Sequence, residues 1–143
     1  MAADEAARRS RAVRRFAPAK LNLYLHVTGR RPDGYHELDS LVVFLDFGDT
    51  LLARPAAGLS LAVEGSFAPA LTAGPAADNL VLRAAQALAA SAAMEPRAAL
   101  VLDKQIPLGA GLGGGSADPA AALSALGESW GLDLGSPALD AIA

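Results

Sequence analysis

Pro107-Leu108-Gly109-Ala110-Gly111-Leu112-Gly113-Gly114-Gly115-Ser116-Ala117-Asp118 is the stretch that decides the fold, and it holds five of the chain's 14 glycines. An apolar run precedes it at residues 99–103, and an alanine-rich run follows at 120–126. Glycine lets a backbone approach an anion closely and adopt positive φ. The first N–H groups of a helix are unpaired and carry partial positive charge. The pattern therefore predicts a strand, a phosphate-binding loop and a helix in succession.

The helix after the glycines is predicted to begin between Gly115 and Asp118, with Asp118 as its cap. Pro119 then falls in the first turn, where its missing N–H costs little. The helix runs to about Trp130, which we assign to the core. The other interpretation of the glycines is a flexible linker or a tight turn without a ligand, although linkers seldom run straight into a capped helix.

Two other kinds of phosphate loop can be tested against this stretch. The Walker loop needs a lysine followed by Ser or Thr after its last glycine, whereas Ser116 follows here and no Lys or Arg occurs after Lys104. The dinucleotide pattern is formally present at Gly109, Gly111 and Gly114. The acid at the expected distance, Asp133, does not end a strand-like run, so an NAD-binding module remains a minor alternative.

Bulk composition excludes several classes of protein. The chain has 143 residues, of which 52% are hydrophobic and 19% charged, enough for one folded domain with a core. No apolar run reaches the roughly 18 residues of a membrane span, and no apolar segment of a secretory signal follows the arginine-rich start. Two histidines and no cysteine argue against disulfides and a typical zinc site. The net charge of −3 argues weakly against nucleic-acid binding. We expect a cytoplasmic protein without nucleic-acid or membrane partners.

The basic residues are strongly biased towards arginine. Only Lys20 and Lys104 are lysines among 12 basic residues. An ammonium is a compact point charge, whereas a guanidinium is a planar fork. Each lysine is therefore a candidate for a role that arginine cannot fill.

The N-terminal half is predicted to be mainly β-structure after a flexible tail at residues 1–13. From Lys20 onwards, apolar and polar residues alternate within a strand at 15–28, which puts Lys20 and Asn22 on one face. The opposite, apolar face should be half-buried; it comprises Leu21, Leu23, Leu25 and Val27. A turn is predicted at residues 29–34. Tyr35 and His36 follow it, either to stack on and bond to a base or simply to pack.

The predicted elements continue in chain order. A strand at residues 38–47 ends in a turn at 48–50, and two short strands follow at 51–53 and 59–63. A loop at 66–77 leads to a helix at 80–93, capped by Asp78 or Asn79. A strand at 99–103 precedes the glycines, and Ser136-Pro137 opens a further helix.

The pattern Pro-x-x-x-Gly-Leu-Gly-Gly-Gly-Ser at residues 107–116 resembles the phosphate loop of the GHMP kinase superfamily of small-molecule kinases. Two further blocks, Ala17-Pro18-Ala19-Lys20-Leu21-Asn22-Leu23 and Asp33-Gly34-Tyr35-His36-Glu37-Leu38, narrow the resemblance. Together they resemble the branch that uses ATP to phosphorylate the 2-hydroxyl of 4-diphosphocytidyl-2-C-methyl-D-erythritol, on the non-mevalonate route to isoprenoid precursors. The resemblance runs from about residue 15 to the end.

This resemblance implies an α+β fold, the N-terminal ATP-binding domain of a GHMP kinase, related to a domain of a ribosomal protein. The domain occupies residues 14–143, is incomplete at its C-terminal end, and is cut before a second domain. Lys20 resembles the active-site lysine, whereas Asn22, Tyr35 and His36 resemble the residues that hold the diphosphocytidyl group. The residues expected around ATP are Asn79, Lys104 and Pro107 through Ala117. Mg²⁺ is implied as a cofactor, with the Ser116 hydroxyl as one possible contact and the other metal ligands open.

Two departures from the family pattern stand out. Proline at position 119 replaces the usual alanine. The family's catalytic base is an aspartate in a Gly-Ala-Asp-Val-Pro segment, which this sequence lacks and which is expected just after Ala143. Asp118 is a poor substitute, because it is better explained as a cap. The alternatives are therefore a nucleotide-binding fragment or pseudoenzyme without turnover, or another small-molecule kinase of the superfamily. A truncated domain should also expose apolar surface and associate.

Overall fold

The computed structural model describes residues 11–75 and 78–134. Within these ranges four strands form one sheet in the order β1-β2-β4-β3. The strands are β1 (Val13–Arg30), β2 (His36–Arg54), β3 (Leu59–Glu64) and β4 (Ala98–Asp103). The helices are α1 (Ala68–Thr72), α2 (Leu80–Ser91) and α3 (Gly114–Trp130). The predicted α+β class is therefore confirmed.

The sheet places the ends of β3 and β4 at the same edge. β2 pairs antiparallel with both β1 and β4, whereas β3 pairs parallel with β4. A parallel pair needs a long crossover, and here it contains α1 and α2. The glycine stretch follows β4 directly, so it lies at the edge where β3 also ends.

The core lies between one face of the sheet and the two long helices. Ala98, Leu100 and Leu102 are buried at every second position of β4, as expected for a strand with one face covered. They belong to one cluster with buried residues of β2, α2 and α3, including Leu51, Val81, Leu88, Ala122, Leu126 and Trp130. The helical spacing predicted for α2 and the core position predicted for Trp130 are both confirmed.

The hairpin of β1 and β2 confirms the predicted strand but not its predicted burial. Leu21, Leu23, Leu25 and Val27 were expected to be half-buried, yet they are 40%, 57%, 45% and 61% exposed. α3 packs on β1, but the buried residues of β1 all lie before position 20. A register shift between Asn22 and Tyr24 also interrupts the alternation. The apolar face exists, therefore, but no described element covers it, in line with the expected exposed apolar surface.

β2 is one continuous strand, so the predicted turn at residues 48–50 is wrong. Gly48 pairs with Pro18, and a Cβ at Gly48 would overlap the Ala17 carbonyl oxygen. The glycine thus permits close approach of two strands rather than a turn. Asp49 is fully buried. The predicted short strand at 51–53 is the end of β2, and the one at 59–63 is β3.

The helix boundaries correct three details. α1 lies inside the predicted loop at 66–77, and the side chain of Asn79, rather than that of Asp78, caps α2 by accepting from the Val81 amide at 2.9 Å. α3 begins at Gly114 with Gly113 as its N-cap, so Asp118 lies inside the helix and is not its cap. Pro119 is likewise inside the helix rather than in its first turn.

Three further predictions concern the chain ends and the membrane. Val13 begins β1 and lies in the core, so the tail must end before it; residues 1–10 lie outside the described ranges. The helix predicted at Ser136-Pro137 also lies outside them. Among the helices at 68–72, 80–91 and 114–130, none has the length and apolar character needed to cross a membrane.

Candidate active site

Residues 107–113, which we call the glycine loop, connect β4 to α3. Gly109, Gly111 and Gly113 have φ of 70°, 73° and 75°, in the region that side-chain-bearing residues rarely adopt. Gly113 accepts hydrogen bonds from the Ser116 and Ala117 amides as the helix begins. The Gly114 and Gly115 amides are left outside these two bonds, and the positive end of the helix dipole lies where the loop meets α3, which suits an anion such as phosphate.

Lys20 of β1 lies against the far end of the glycine loop. Its amide donates to the Leu112 carbonyl at 2.7 Å. A Cβ built on Gly113 would lie 3.1 Å from Lys20 Cβ and 3.6 Å from Lys20 Cε. The structure thus brings the predicted catalytic lysine to the predicted phosphate loop. Asn22 lies two residues further along the same strand and is half-buried.

The other predicted substrate residues lie far along the hairpin. Tyr35 is 73% exposed at the tip, and its amide donates to Asp33 Oδ1 at 3.1 Å. His36 opens β2 opposite Arg30, ten residues along β1 from Lys20. The structure does not bring Tyr35 or His36 to the glycine loop, and their assignment to cytosine recognition stays a prediction.

A buried ionic cluster lies beneath the glycine loop, formed by Asp49, Lys104 and Asp118. The Lys104 ammonium donates to Asp49 Oδ2 at 2.5 Å and to Asp118 Oδ2 at 2.8 Å. The three residues are 0%, 1% and 5% exposed, respectively. A Cβ on Gly114 would lie 2.9 Å from Lys104 Nζ, so the first turn of α3 rests directly on the ammonium.

This cluster changes how two predicted residues are understood. Lys104 was expected near ATP, but its ammonium is enclosed below the loop and bound by two carboxylates rather than presented to a ligand. Asp118 was expected to cap α3, but its side chain points to Lys104. Asp49 was not predicted as a site residue at all. Its sequence neighbours concealed this role, because Gly48-Asp49-Thr50 has the composition of a turn.

The charges of the cluster do not balance. Burial lowers the pKa of Lys104, but its hydrogen bonds to Asp118 and Asp49 outweigh burial, so the pKa is raised overall. Burial raises the pKa of Asp118 to about 6, although the hydrogen bond from Lys104 opposes this effect. Asp118 Oδ1 is buried without a hydrogen-bond partner. Near pH 7, one ammonium therefore faces two carboxylates in a site from which water is excluded.

Stability should consequently depend on pH through Asp118. Its pKa is about 6 in the folded chain and 3.8 ordinarily, so the folded state binds more protons between these values and gains stability as the pH falls. Above pH 6 the ionised carboxylate costs about 3 kcal/mol, since one pKa unit corresponds to about 1.4 kcal/mol. We expect Asp118→Asn to raise the free energy of unfolding at pH 8 by up to that amount.

Urea unfolding of Asp118→Asn and the unsubstituted chain at pH 8 and pH 4 measures this effect. The raised pKa of Lys104 keeps its stabilising contribution intact throughout this range, because that contribution is lost only above its ordinary value of 10.5. The stability difference should nearly vanish at pH 4. An equal difference at both pH values would contradict the assignment to Asp118.

Two cavities border α2. One, of about 260 Å³, lies between β3, α1 and α2 and is lined mainly by apolar residues, including Leu61, Val63 and Leu71, together with Asn79. The other is a groove of about 490 Å³ between α2 and α3, where Arg83 lies beside Gly115 and Ser116. In the ranges 11–75 and 78–134, no group of three or more His, Asp or Glu side chains is arranged to hold a metal ion.

Comparison with known proteins gives consistent matches. The sequence family "GHMP kinases N terminal domain" matches residues 79–143. The chain is 58% identical over 120 residues to 4-diphosphocytidyl-2-C-methyl-D-erythritol kinase of Granulibacter bethesdensis, covering 82% of this chain and 39% of that protein. It is 57% identical over 118 residues to the enzyme of the same name from Rhodospirillum rubrum, covering 82% and 38%. The chain thus spans about 40% of the length of these curated relatives.

Solved structures agree with the sequence matches. A crystal structure of 4-(cytidine 5'-diphospho)-2C-methyl-D-erythritol kinase superposes with a TM-score of 0.67 at 37% identity, covering 91% of this chain and 46% of that one. Homoserine kinase from Cytophaga hutchinsonii superposes with a TM-score of 0.61 at 22% identity, covering 86% and 36%. The second similarity bears on the fold alone.

Proposed function

We propose that the chain is the ATP-binding part of a GHMP kinase that phosphorylates 4-diphosphocytidyl-2-C-methyl-D-erythritol, since residues 79–143 match the N-terminal domain of that family and the relatives above carry the name of this kinase. The reaction would transfer the γ-phosphate of ATP to the 2-hydroxyl, in the cytoplasm, on the non-mevalonate route to isopentenyl diphosphate. The observation that carries the proposal is the contact between Lys20 and the glycine loop.

The geometry supports different roles for the glycine loop and for Lys20. Phosphoryl transfer demands positioning and neutralisation of charge more than covalent chemistry from the protein. The glycine loop and the first turn of α3 would hold the phosphates through backbone N–H groups. The Cβ of Lys20 lies beside Gly113. The ammonium of the same side chain would stabilise the charge that develops on the transferred group.

The nucleotide base would occupy the apolar cavity beside β3. β3 and β4 are parallel, and the Lys104 amide donates to the Glu64 carbonyl at 2.7 Å where both strands end. The cavity borders β3, and the glycine loop follows β4, its neighbour in the sheet. Because Asn79 Oδ1 caps α2, its amide nitrogen is the group left to donate to an adenine ring. Adenine contact by Asn79 is part of the proposal.

Mg²⁺ would be held mainly by phosphate oxygens and water, as is usual for this ion. Ser116 is the described residue that suits it, because its exposed hydroxyl borders the groove at the first turn of α3. When bound, the ion would neutralise phosphate charge. Asp118 is not available to the ion or to the substrate hydroxyl, since Lys104 holds it inside the cluster. The base is therefore assigned to the part of the longer relatives that this chain does not cover.

A second candidate is binding of ATP without turnover, since Asp118 is held by Lys104 and is not free to act as a base. In that case the chain binds Mg-ATP but transfers no phosphate. The two candidates share the glycine loop and differ only in whether a base is supplied.

Phosphate transfer from Mg-ATP to 4-diphosphocytidyl-2-C-methyl-D-erythritol tests the proposal, using the longest natural product of this gene. We expect the 2-phosphate to form. Homoserine and mevalonate serve as control acceptors, and transfer to one of them would reassign the substrate. Calorimetry of the 143-residue chain with Mg-ATP tests the second candidate. ATP binding with no transfer to any acceptor would support the binding-only function.

A further inference from the structure

The buried ionic cluster has no place in the chemistry above, yet it joins β2, the start of the glycine loop and α3. We propose that Asp49 is a positioning residue, which fixes the loop relative to Lys20 without touching the nucleotide. This inference rests on the proposed function, because it assigns a role within the same ATP site.

Asp49 holds the start of the loop directly. Its Oδ1 accepts from the Gln105 amide at 2.5 Å and from the Ile106 amide at 2.7 Å. These are the last two backbone N–H groups before Pro107, which has none. Two charge-assisted bonds to consecutive amides define where the chain leaves β4, and such bonds are stronger than neutral ones.

The same carboxylate holds the end of the loop through Lys104. Its Oδ2 accepts from the ammonium, which also donates to Asp118 of α3 and supports the first turn at Gly114. One side chain of β2 thus connects both ends of the glycine loop. Lys20 lies on the neighbouring strand, so the distance between loop and lysine is set within the paired strands β1 and β2.

Stability alone does not account for such a cluster. Burying ions is expensive, and well-packed apolar residues of similar volume often stabilise a core equally well or better. Here the cost is visible in Asp118 Oδ1, which has no partner. What the cluster supplies is a fixed geometry, and small displacements of a substrate-binding group cause large losses of rate.

The test is Asp49→Asn in the longest natural product, with Trp130→Phe as a matched control. Asn keeps the shape of the side chain but loses its charge, so the links to Lys104 and to the two amides weaken. Trp130→Phe removes one partly buried hydrogen bond, to the Arg97 carbonyl, at the opposite end of α3. We expect KM for ATP to rise about tenfold or more in Asp49→Asn. KM for the diphosphocytidyl substrate should change less than about twofold, since its proposed ligands lie on the hairpin.

The control should lower Tm yet leave both KM values within about twofold. If Asp49→Asn lowers Tm but, like the control, leaves the KM for ATP unchanged, Asp49 is merely structural and the inference fails. If the unsubstituted enzyme transfers no phosphate, calorimetry with Mg-ATP replaces KM, so failure of the kinase proposal remains distinguishable from failure of this one.

Hydrogen exchange decides the case if Asp49→Asn does not fold. The inference requires the Gln105 and Ile106 amides of the unsubstituted, nucleotide-free protein to be protected as strongly as those of β4. Exchange at the rate of exposed backbone would overturn it.

Discussion

Lys20→Ala is expected to lower kcat for phosphate transfer by about 10²–10³-fold or more, while the Kd for Mg-ATP changes by less than about threefold. Alanine keeps the Cβ that packs on Gly113 and the amide that donates to Leu112. The loop therefore stays in place, and only the ammonium is lost. Transfer assays and calorimetry on the same preparation measure the two quantities.

Arg14→Ala is the matched control for Lys20→Ala. Arg14 is an exposed cation on the same strand, opposite Leu52 and away from the glycine loop. Its removal should leave kcat and Kd unchanged within about twofold. A large loss of ATP affinity in Lys20→Ala would mean that the lysine binds the ground state, and the proposed catalytic role would have to be abandoned.

Gly113→Asp is expected to weaken Mg-ATP binding by about 100-fold. The residue has a φ of 75°, which strains any side-chain-bearing residue, and the new Cβ would lie 3.1 Å from Lys20 Cβ, so the Lys20 side chain must give way slightly. The carboxylate would also bring negative charge to the helix N-terminus where a phosphate is proposed to bind. Calorimetry with Mg-ATP at fixed ionic strength measures the loss.

Gly131→Asp separates backbone strain from the effect on the ligand. Gly131 ends α3 with a φ of 70°, and a Cβ there meets nothing within 4 Å. This variant should lower Tm without changing the Kd for Mg-ATP. Equal losses of affinity in Gly113→Asp and Lys20→Ala would contradict the division of roles between loop and lysine.

The glycine loop and its flanking elements were predictable because their physical causes are local. Strand, glycines and helix follow each other directly, and positive φ at Gly109, Gly111 and Gly113 is what their composition allows. The same holds for the Asn79 cap, whose partner is two residues away. Local signals were not sufficient everywhere, since Asp118 and Pro119 lie inside α3 rather than at its start.

The ionic cluster was not predictable because its members meet only through the sheet. Asp49 and Lys104 lie 55 residues apart and become neighbours when β2 pairs with β4. Gly48-Asp49-Thr50 has the composition of a turn, and composition does not reveal that strand pairing overrides it. The alternation of residues in the hairpin likewise predicted two distinct faces correctly. It could not predict whether another element would cover the apolar face.

The ionic cluster also restricts how this sequence can change over generations. Loss of Lys104 would leave two buried carboxylates facing each other, and breaking a buried pair costs about 3–5 kcal/mol, a large share of a domain's stability. Loss of Asp49 would leave the Lys104 ammonium without its closest carboxylate and two backbone amides without their acceptor. Asp118 differs, because its carboxylate is already unfavourably charged above pH 6 and is the member that can be neutralised. The charge at position 118 can therefore be lost as long as an acceptor for the Lys104 ammonium remains, whereas positions 49 and 104 must be inherited together.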